Sequence, residues 1–243
     1  MEEAYRADLA HIHDQGFTAF ARKAGDGVLQ IFSQRGIDKG LVVDLGCGSG
    51  VWARTLVDAG YQVHGIDISK EMIDLCRQRV PESTFEVGSF LETSLPSCQA
   101  VTSMGECLNY LFDKKNNLHS LSRLFQQIYN ALESGGLFIF DVITPGYAKA
   151  SGPKKRHVKT ENWAVLVEIE ENAANHTLKR SITTFNKIGE HYRRDEEVHH
   201  VQLYQGDALR DALQDTGFDV TLTKGYPGYD LTPTHAVLIA QKV

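Results

Sequence analysis

The sequence predicts an α/β fold: a seven-stranded, mostly parallel sheet with helices on both faces, and an antiparallel β insertion after the fifth strand. Three observations carry that prediction. From residue 41 to about 145, short aliphatic runs alternate with helical segments, and strands separated by helices pair in parallel. Within that stretch Val42-Val43-Asp44-Leu45-Gly46-Cys47-Gly48-Ser49-Gly50 joins a strand to a glycine-rich turn, and a second strand ending in Gly65-Ile66-Asp67 follows about one βαβ unit later. After Pro145-Gly146 the period changes to that of successive strands with no helix between them.

The elements follow in order. From Glu2 to about Arg35, Leu9, Ile12, Phe17, Phe20, Ala21, Val28, Leu29 and Phe32 recur at helical intervals, with breaks expected at Gly16, Gly25 and Gly27, giving two or three helices. Leu41 to Leu45 is the first strand, Trp52 to Ala59 a helix closed by Gly60, and Gln62 to Ile66 the second strand. Ser69 caps the next helix, Glu71 favours its first turn electrostatically, and it ends near Arg79 before Pro81. Strands near Thr84 to Val87 and Ala100 to Met104, a helix from Leu118 to Leu132 and a fifth strand from Leu137 to Val142 continue the alternation. Trp163 to Glu170, Thr177 to Phe185 and Tyr192 to Tyr204 then form an antiparallel meander, an insertion with boundaries near Pro145 and Gln205. Ala208 to Thr216 is a helix ended by Gly217, and Val220 to Lys224 and Ala236 to Gln241 complete the sheet.

Composition bounds the function. A chain of 243 residues with 42% hydrophobic and 23% charged residues buries a full core. A net charge of -6 argues against nucleic-acid phosphate as a partner. The one basic run, Lys154-Lys155-Arg156 beside Gly152-Pro153, reads as a solvated loop. Cys47, Cys76, Cys98 and Cys107 show neither a C-x-x-C pair nor metal-ligand spacing, so they are expected to be reduced thiols, with no metal site. No leader-like start and no run of 18 or more apolar residues occurs, so a soluble, cytoplasmic protein without a membrane partner is expected.

The glycine turn carries the chemistry. Alternating glycines remove Cβ atoms where backbone approaches a ligand or takes positive φ, and the helix that follows offers free N–H groups. Asp67, at the tip of the second strand, is placed to accept both hydroxyls of a ribose, so an adenosine-type cofactor fits. A dinucleotide fingerprint G-x-G-x-x-G/A would need a small residue where Val51 stands. The spacing present, G-x-G-x-G preceded by Asp44, resembles the first motif of the Rossmann-like S-adenosylmethionine-dependent methyltransferases. The likeness covers residues 41 to about 145 and, less specifically, the tail from about 206, and extends to a bacterial group of small-molecule methyltransferases of unassigned substrate.

That resemblance implies a set of roles. Asp44, Gly46, Cys47, Gly48 and Gly50 would lie beneath the methionine part of S-adenosylmethionine, Asp67 on the ribose, and Ile68 and Met72 beside the adenine. Gly88-Ser89-Phe90 occupies the place where many members carry an adenine-binding Asp, with Ser89 as the acceptor here. Met104-Gly105-Glu106 ends the fourth strand, putting Gly105 and Glu106 toward the reactive methyl. Glu133-Ser134-Gly135-Gly136-Leu137 resembles the turn before the fifth strand. The implied plan is an N-terminal helical lid over 1-36, a cofactor-binding domain over 37-145 and 206-243, and a substrate cover over 146-205.

Methyl transfer is an in-line displacement, which gains most from holding nucleophile and methyl together in a dry pocket, with a base where the acceptor must lose a proton. Geography nominates Glu106 and Tyr110 after the fourth strand, His13 in the lid with His11 beside it, and His199 in the insertion. There Arg194, Glu196, Val198 and His200 alternate with Asp195, Glu197, His199 and Val201. Either one set, through Arg194 or through Glu197 and His199, lines an acceptor pocket, or both form solvated, charge-paired faces. The expected activity is methyl transfer to an O or N atom of a small molecule with S-adenosylhomocysteine as product, by a monomer or homodimer that binds neither nucleic acid nor membrane. A cofactor-binding module without catalysis and an NAD(P)-dependent oxidoreductase are the alternatives.

Overall fold

The computed structural model describes residues 4–150, 152 and 154–243; Glu2, at the start of the predicted helical segment, and Pro153 lie outside them. The first two helices are α1 (Ala7–Gly16) and α2 (Ala19–Gln34). Gly25 and Gly27 do not break α2 as expected, because both sit inside it on its buried side. A Cβ on Gly25 would stand 2.7 Å from the Trp52 ring, and one on Gly27 would stand 2.7 Å from Tyr226 Cβ. Close packing against two aromatic side chains outweighs the roughly 1 kcal/mol that each glycine costs in helix propensity.

The alternation then proceeds through β1 (Leu41–Leu45), α3 (Val51–Asp58), β2 (Gln62–Asp67), α4 (Lys70–Arg79), β3 (Thr84–Val87), β4 (Cys98–Ser103), α5 (Leu118–Ala131) and β5 (Leu132–Ile143). A short helix α6 (Tyr147–Ala150) leads into β6 (Lys155–Lys159), β7 (Trp163–Asn172), β8 (Thr177–Ile188) and β9 (His191–Gln202). The chain closes with α7 (Gly206–Thr216), β10 (Phe218–Thr223), a small hairpin of β11 (Gly225–Tyr226) and β12 (Tyr229–Asp230), and β13 (His235–Lys242).

The main sheet has the order β10-β13-β5-β4-β1-β2-β3, in which β13 alone runs against its neighbours. Period-two alternation sorts its side chains to two cores. In β5, Leu137 and Ile139 face α2 and α3 with Phe32, Trp52 and Leu56, whereas Phe138 and Phe140 face α5 and α7 with Phe125, Ile128, Leu209 and Leu213. Helices thus cover both faces, as predicted.

Two further expectations are corrected. The fifth strand starts at Leu132 rather than Leu137; residues 133–136 bulge out between the pairs Cys98↔Leu132 and Ala100↔Leu137, with Gly135 at φ 79°. The basic run is not a loop, since Lys155 and Arg156 open β6, the edge of a four-stranded meander ordered β6-β7-β8-β9, where Lys155 pairs with Glu168 at 2.9 Å. Charged edge strands resist pairing with other chains, and that same polarity hides them from a hydrophobic-pattern reading. The α6 turn and the β11–β12 hairpin were likewise not expected.

The meander is tied to the main sheet by a bridge between Tyr110 and Val201 and by the Asn109 side chain, which spans Ile143 and Gln202. Among the described residues no helix is long and apolar enough to cross a membrane.

Candidate functional site

Strand order reverses between β1 and β4, and at such a point the loops leaving the strands part to open a crevice at their C-terminal ends. Here the crevice is a cavity of about 360 Å³ covered by α1 and the start of α2.

At one end lies the glycine turn. Gly46, Gly48 and Gly50 take φ of 74°, 54° and 77°, and Gly48 has open space where a Cβ would stand. No side chain caps α3, and Ser49, Val51 and Trp52 at its start line the cavity, so its first N–H groups offer an anion site. Gly50 is not on the wall; a Cβ there would meet Cys76 Sγ at 2.8 Å, so its role is packing. Cys47 is on the wall, with its sulfur 3.7 Å from that of Cys76.

Asp67 accepts the Gly48 N–H and the Ser69 N–H, each at 2.9 Å and each on a different oxygen, which leaves both oxygens with a lone pair to spare. Its burial raises the carboxyl above its ordinary range. Asp44 is buried at the floor, accepting the Thr102 hydroxyl at 2.8 Å, while Thr102 accepts the Trp52 indole N–H at 3.1 Å. Burial pushes Asp44 up to about 7.

Ile68, Met72 and Phe90 supply apolar wall beside Asp67. Ser89 is on that wall, but its hydroxyl donates to Asp113 at 2.6 Å. Asp113, from the loop after β4, therefore brings to this place the carboxylate that the sequence lacks at position 89. Gly88 stands off the wall.

At the other end the chain leaving β4 is strained, with Gly105 at φ 88° and Glu106 at φ 64°. Asp141 of β5 holds this turn by accepting both N–H groups, at 2.9 and 3.0 Å, as well as the Tyr226 hydroxyl at 2.7 Å. Desolvation lifts Asp141 to about 6. One oxygen of Glu106 accepts Arg180 Nη2 at 2.6 Å, and the other lies 3.7 Å from His235 Nε2. Burial pushes the Glu106 carboxyl up, but Arg180 and His235 outweigh it and hold it below its usual range. Arg180 also donates to the Tyr110 hydroxyl at 2.6 Å; burial pushes that phenol up to about 12.

The N-terminal segment closes the top. Tyr5 N–H and Arg6 N–H each donate at 2.9 Å to Glu197 of β9, and Asp8 pairs with Arg193 and Asn186. The Ser69 hydroxyl, which caps α4 by accepting the Met72 N–H, donates to the Tyr5 carbonyl. His13 lines the cavity, its Nδ1 sealed from solvent without a hydrogen-bond partner, and burial lowers it to about 4. His11 is exposed.

His199 does not line the cavity. It stands behind Tyr5 and Phe112, with ring centroids 5.0 and 4.8 Å away, and its Nε2 lies 2.9 Å from Glu197. Of the two readings of β9, solvated charge pairing fits the Arg194 side, which is exposed and paired with Glu196, whereas Glu197 and His199 are buried and neither line the cavity nor form a solvated face but anchor the N-terminal segment. The structure thus gathers Asp44, Gly46, Cys47, Gly48, Asp67, Ile68, Met72, Ser89, Phe90, Gly105, Glu106, Tyr110 and His13 around one cavity. Sequence reasoning missed Tyr5, Phe112, Asp113, Asp141, Arg180 and His235. No local pattern marked them: Arg180, for instance, follows Lys179 in a strand that mixes buried and exposed residues.

Residues 42–136 match the family model described as a methyltransferase domain. A putative methyltransferase, YqeM, of Bacillus subtilis (strain 168) is 25% identical over 195 residues, which are 75% of each chain. The fold is similar to that of a sugar N-methyltransferase from a Streptoalloteichus strain, at TM-score 0.81 and 13% identity over 100% of this chain and 96% of that one. It is also similar to an amino pentose methyltransferase of Micromonospora echinaspora solved with S-adenosylmethionine bound, at TM-score 0.77 and 16% identity over 100% of both chains.

Proposed function

We propose that this chain, whose residues 42–136 match the model of a methyltransferase domain, is a Rossmann-like, class I S-adenosylmethionine-dependent methyltransferase that transfers a methyl group to a nitrogen or oxygen atom of a small molecule. The observation that carries the reading is the continuity of one cavity from the Asp67 carboxylate, held by two backbone N–H groups, to Glu106, Tyr110 and His13. The sugar N-methyltransferase among the chains of similar fold supports the small-molecule class.

The residues fit S-adenosylmethionine. Asp67 has free lone pairs for a ribose, Ile68, Met72 and Phe90 give apolar cover for a purine, and Ser89 with Asp113 offers polar atoms at its edge. The uncapped start of α3 suits a carboxylate, and Asp44 suits an ammonium. When bound, this cofactor supplies an electrophilic methyl on a sulfonium.

The chain's own part is positioning, exclusion of water and proton handling. Tyr5, Phe17 and Phe20 cover the cavity, so segment 1-36 acts as the lid; residues 37-145 and 206-243 bind the cofactor, and 146-205 cover the acceptor by holding the lid in place. Glu106, fixed by Arg180, and the Tyr110 hydroxyl orient the acceptor. His13 lines the cavity and is neutral at neutral pH, so its imidazole is the group placed to take a proton from the acceptor.

The test is a screen of small amines and alcohols for acceptor-dependent formation of S-adenosylhomocysteine. Turnover with at least one, lowered tenfold or more by His13→Ala, is expected. A protein that binds the cofactor yet turns over none of them is a binding module instead.

A further inference from the structure

The charges on the cavity wall are one-sided. Asp44, Asp67, Glu106 and Asp113 line it, and among the described residues no lysine or arginine does. The nearest cation, Arg180, stands behind the wall and is committed to Glu106 and Tyr110 at 2.6 Å each. Its effect is to keep Glu106 ionised while leaving that residue's second oxygen with no partner nearer than His235 Nε2 at 3.7 Å. A buried carboxylate oxygen with spare capacity, facing a cavity, is an acceptor for a charged N–H donor.

Aromatic rings surround the same place. Tyr110 and Phe112 stack with centroids 4.8 Å apart and planes 10° apart, and Tyr5 stands edge-on to both at 6.4 and 6.1 Å. All three line the cavity. Ring faces attract cations, most strongly where water is excluded. The fourth side holds His13, whose buried Nδ1 is unpartnered and whose neutral imidazole sets no charge against an incoming cation. A carboxylate or phosphate head would meet the Glu106 carboxylate here, and no lysine or arginine of the described residues lines the wall to compensate it.

We infer that the cavity takes its acceptor as a cationic amine, the ammonium seated between the free oxygen of Glu106 and the rings of Tyr5 and Phe112, the Tyr110 ring being already engaged by Phe112 and by the Arg180 guanidinium 5.6 Å from its centroid. The word acceptor rests on the methyltransferase reading; the amine site itself does not.

Calorimetry separates the two. The protein is first titrated with S-adenosylhomocysteine, and absence of binding there overturns the methyltransferase reading alone. The loaded protein, or the free protein in that event, is then titrated with hexylamine, hexanoate and hexyl phosphate. The amine is expected to bind at least tenfold more tightly than either anion, and Glu106→Gln to reduce that preference to less than threefold. Equal or tighter binding of hexanoate or hexyl phosphate, or no binding by any of the three, overturns the inference. The wild-type comparison decides the matter even where Glu106→Gln, which leaves Arg180 buried without its partner, does not fold.

Discussion

Asp44 and Asp67 lie at the same end of the cavity, but ligand binding affects them differently. Burial pushes the Asp44 carboxyl up to about 7 in the free protein, so it holds a proton close to neutrality. A ligand ammonium beside it favours the charged form, drives the proton off and makes binding tighten as pH rises from 6 to 8. The enthalpy of S-adenosylhomocysteine binding at pH 7 is therefore expected to differ between buffers of different ionisation enthalpy; equal enthalpies would remove Asp44 from the ligand's ammonium. Asp67 acts as a fixed acceptor, and Asp67→Ala is expected to weaken S-adenosylhomocysteine binding by roughly 1–3 kcal/mol. Unchanged affinity would remove the ribose assignment. Asp44, Asp67 and Glu106 were legible because strand ends and glycine spacing fix them locally. Arg180 was not, because its partner Glu106 lies 74 residues away and only the meander's return over the sheet brings them together.

The lid is an element made by its anchors rather than by its own sequence. α1 alone is ten residues, too short to be stable in isolation. It is held by Glu197 on two backbone N–H groups, by the Asp8–Arg193 pair, and by Gly16, where a Cβ would stand 2.7 Å from the Trp163 ring. Glu197→Ala is expected to speed release of S-adenosylhomocysteine by about an order of magnitude and to lower stability by ~1–3 kcal/mol, the usual penalty for stranding buried donors. Stopped-flow displacement reads the first and thermal unfolding the second; an unchanged release rate would mean that the lid does not gate the site. The helices and strands of the main sheet were legible because their apolar periods are long and clean. β6 was not, since Lys155-Arg156-His157-Val158-Lys159 carries one apolar residue, and α2 was misread because Gly25 and Gly27 serve packing partners that only the folded chain supplies.

For the whole molecule, binding site and stability pull against each other. The unfolded chain ionises Asp44 near 4, whereas the folded protein does so at about 7, so across that interval the folded state holds the extra proton and stability falls as pH rises. Asp141, at about 6, adds to this at lower pH, while His13, lowered to about 4, opposes it below pH 6.5. Between pH 6.5 and 8 Asp44 dominates, and the free protein is expected to lose about 1 kcal/mol, or ~2–4 °C of melting temperature, over that range. Asp44→Asn should flatten the slope and raise the melting temperature at pH 8 while weakening cofactor binding; an unaltered slope would contradict the assignment. The mostly parallel sheet and a site at the ends of its strands were predictable from the alternation of elements, because ligands of such sheets bind at the C-terminal ends of the strands; the strand order was not. The acceptor end was only partly so, being assembled from the lid, the loop after β4, β8 and β13, whose meeting no local pattern announces.

The central claim, that the glycine turn and Asp67 form an S-adenosylmethionine site, is tested most directly by calorimetric titration of the purified protein with S-adenosylmethionine, S-adenosylhomocysteine and NADH. Micromolar binding of the first two and none of the third is the predicted result. Binding of NADH, or of neither sulfur ligand, would contradict it.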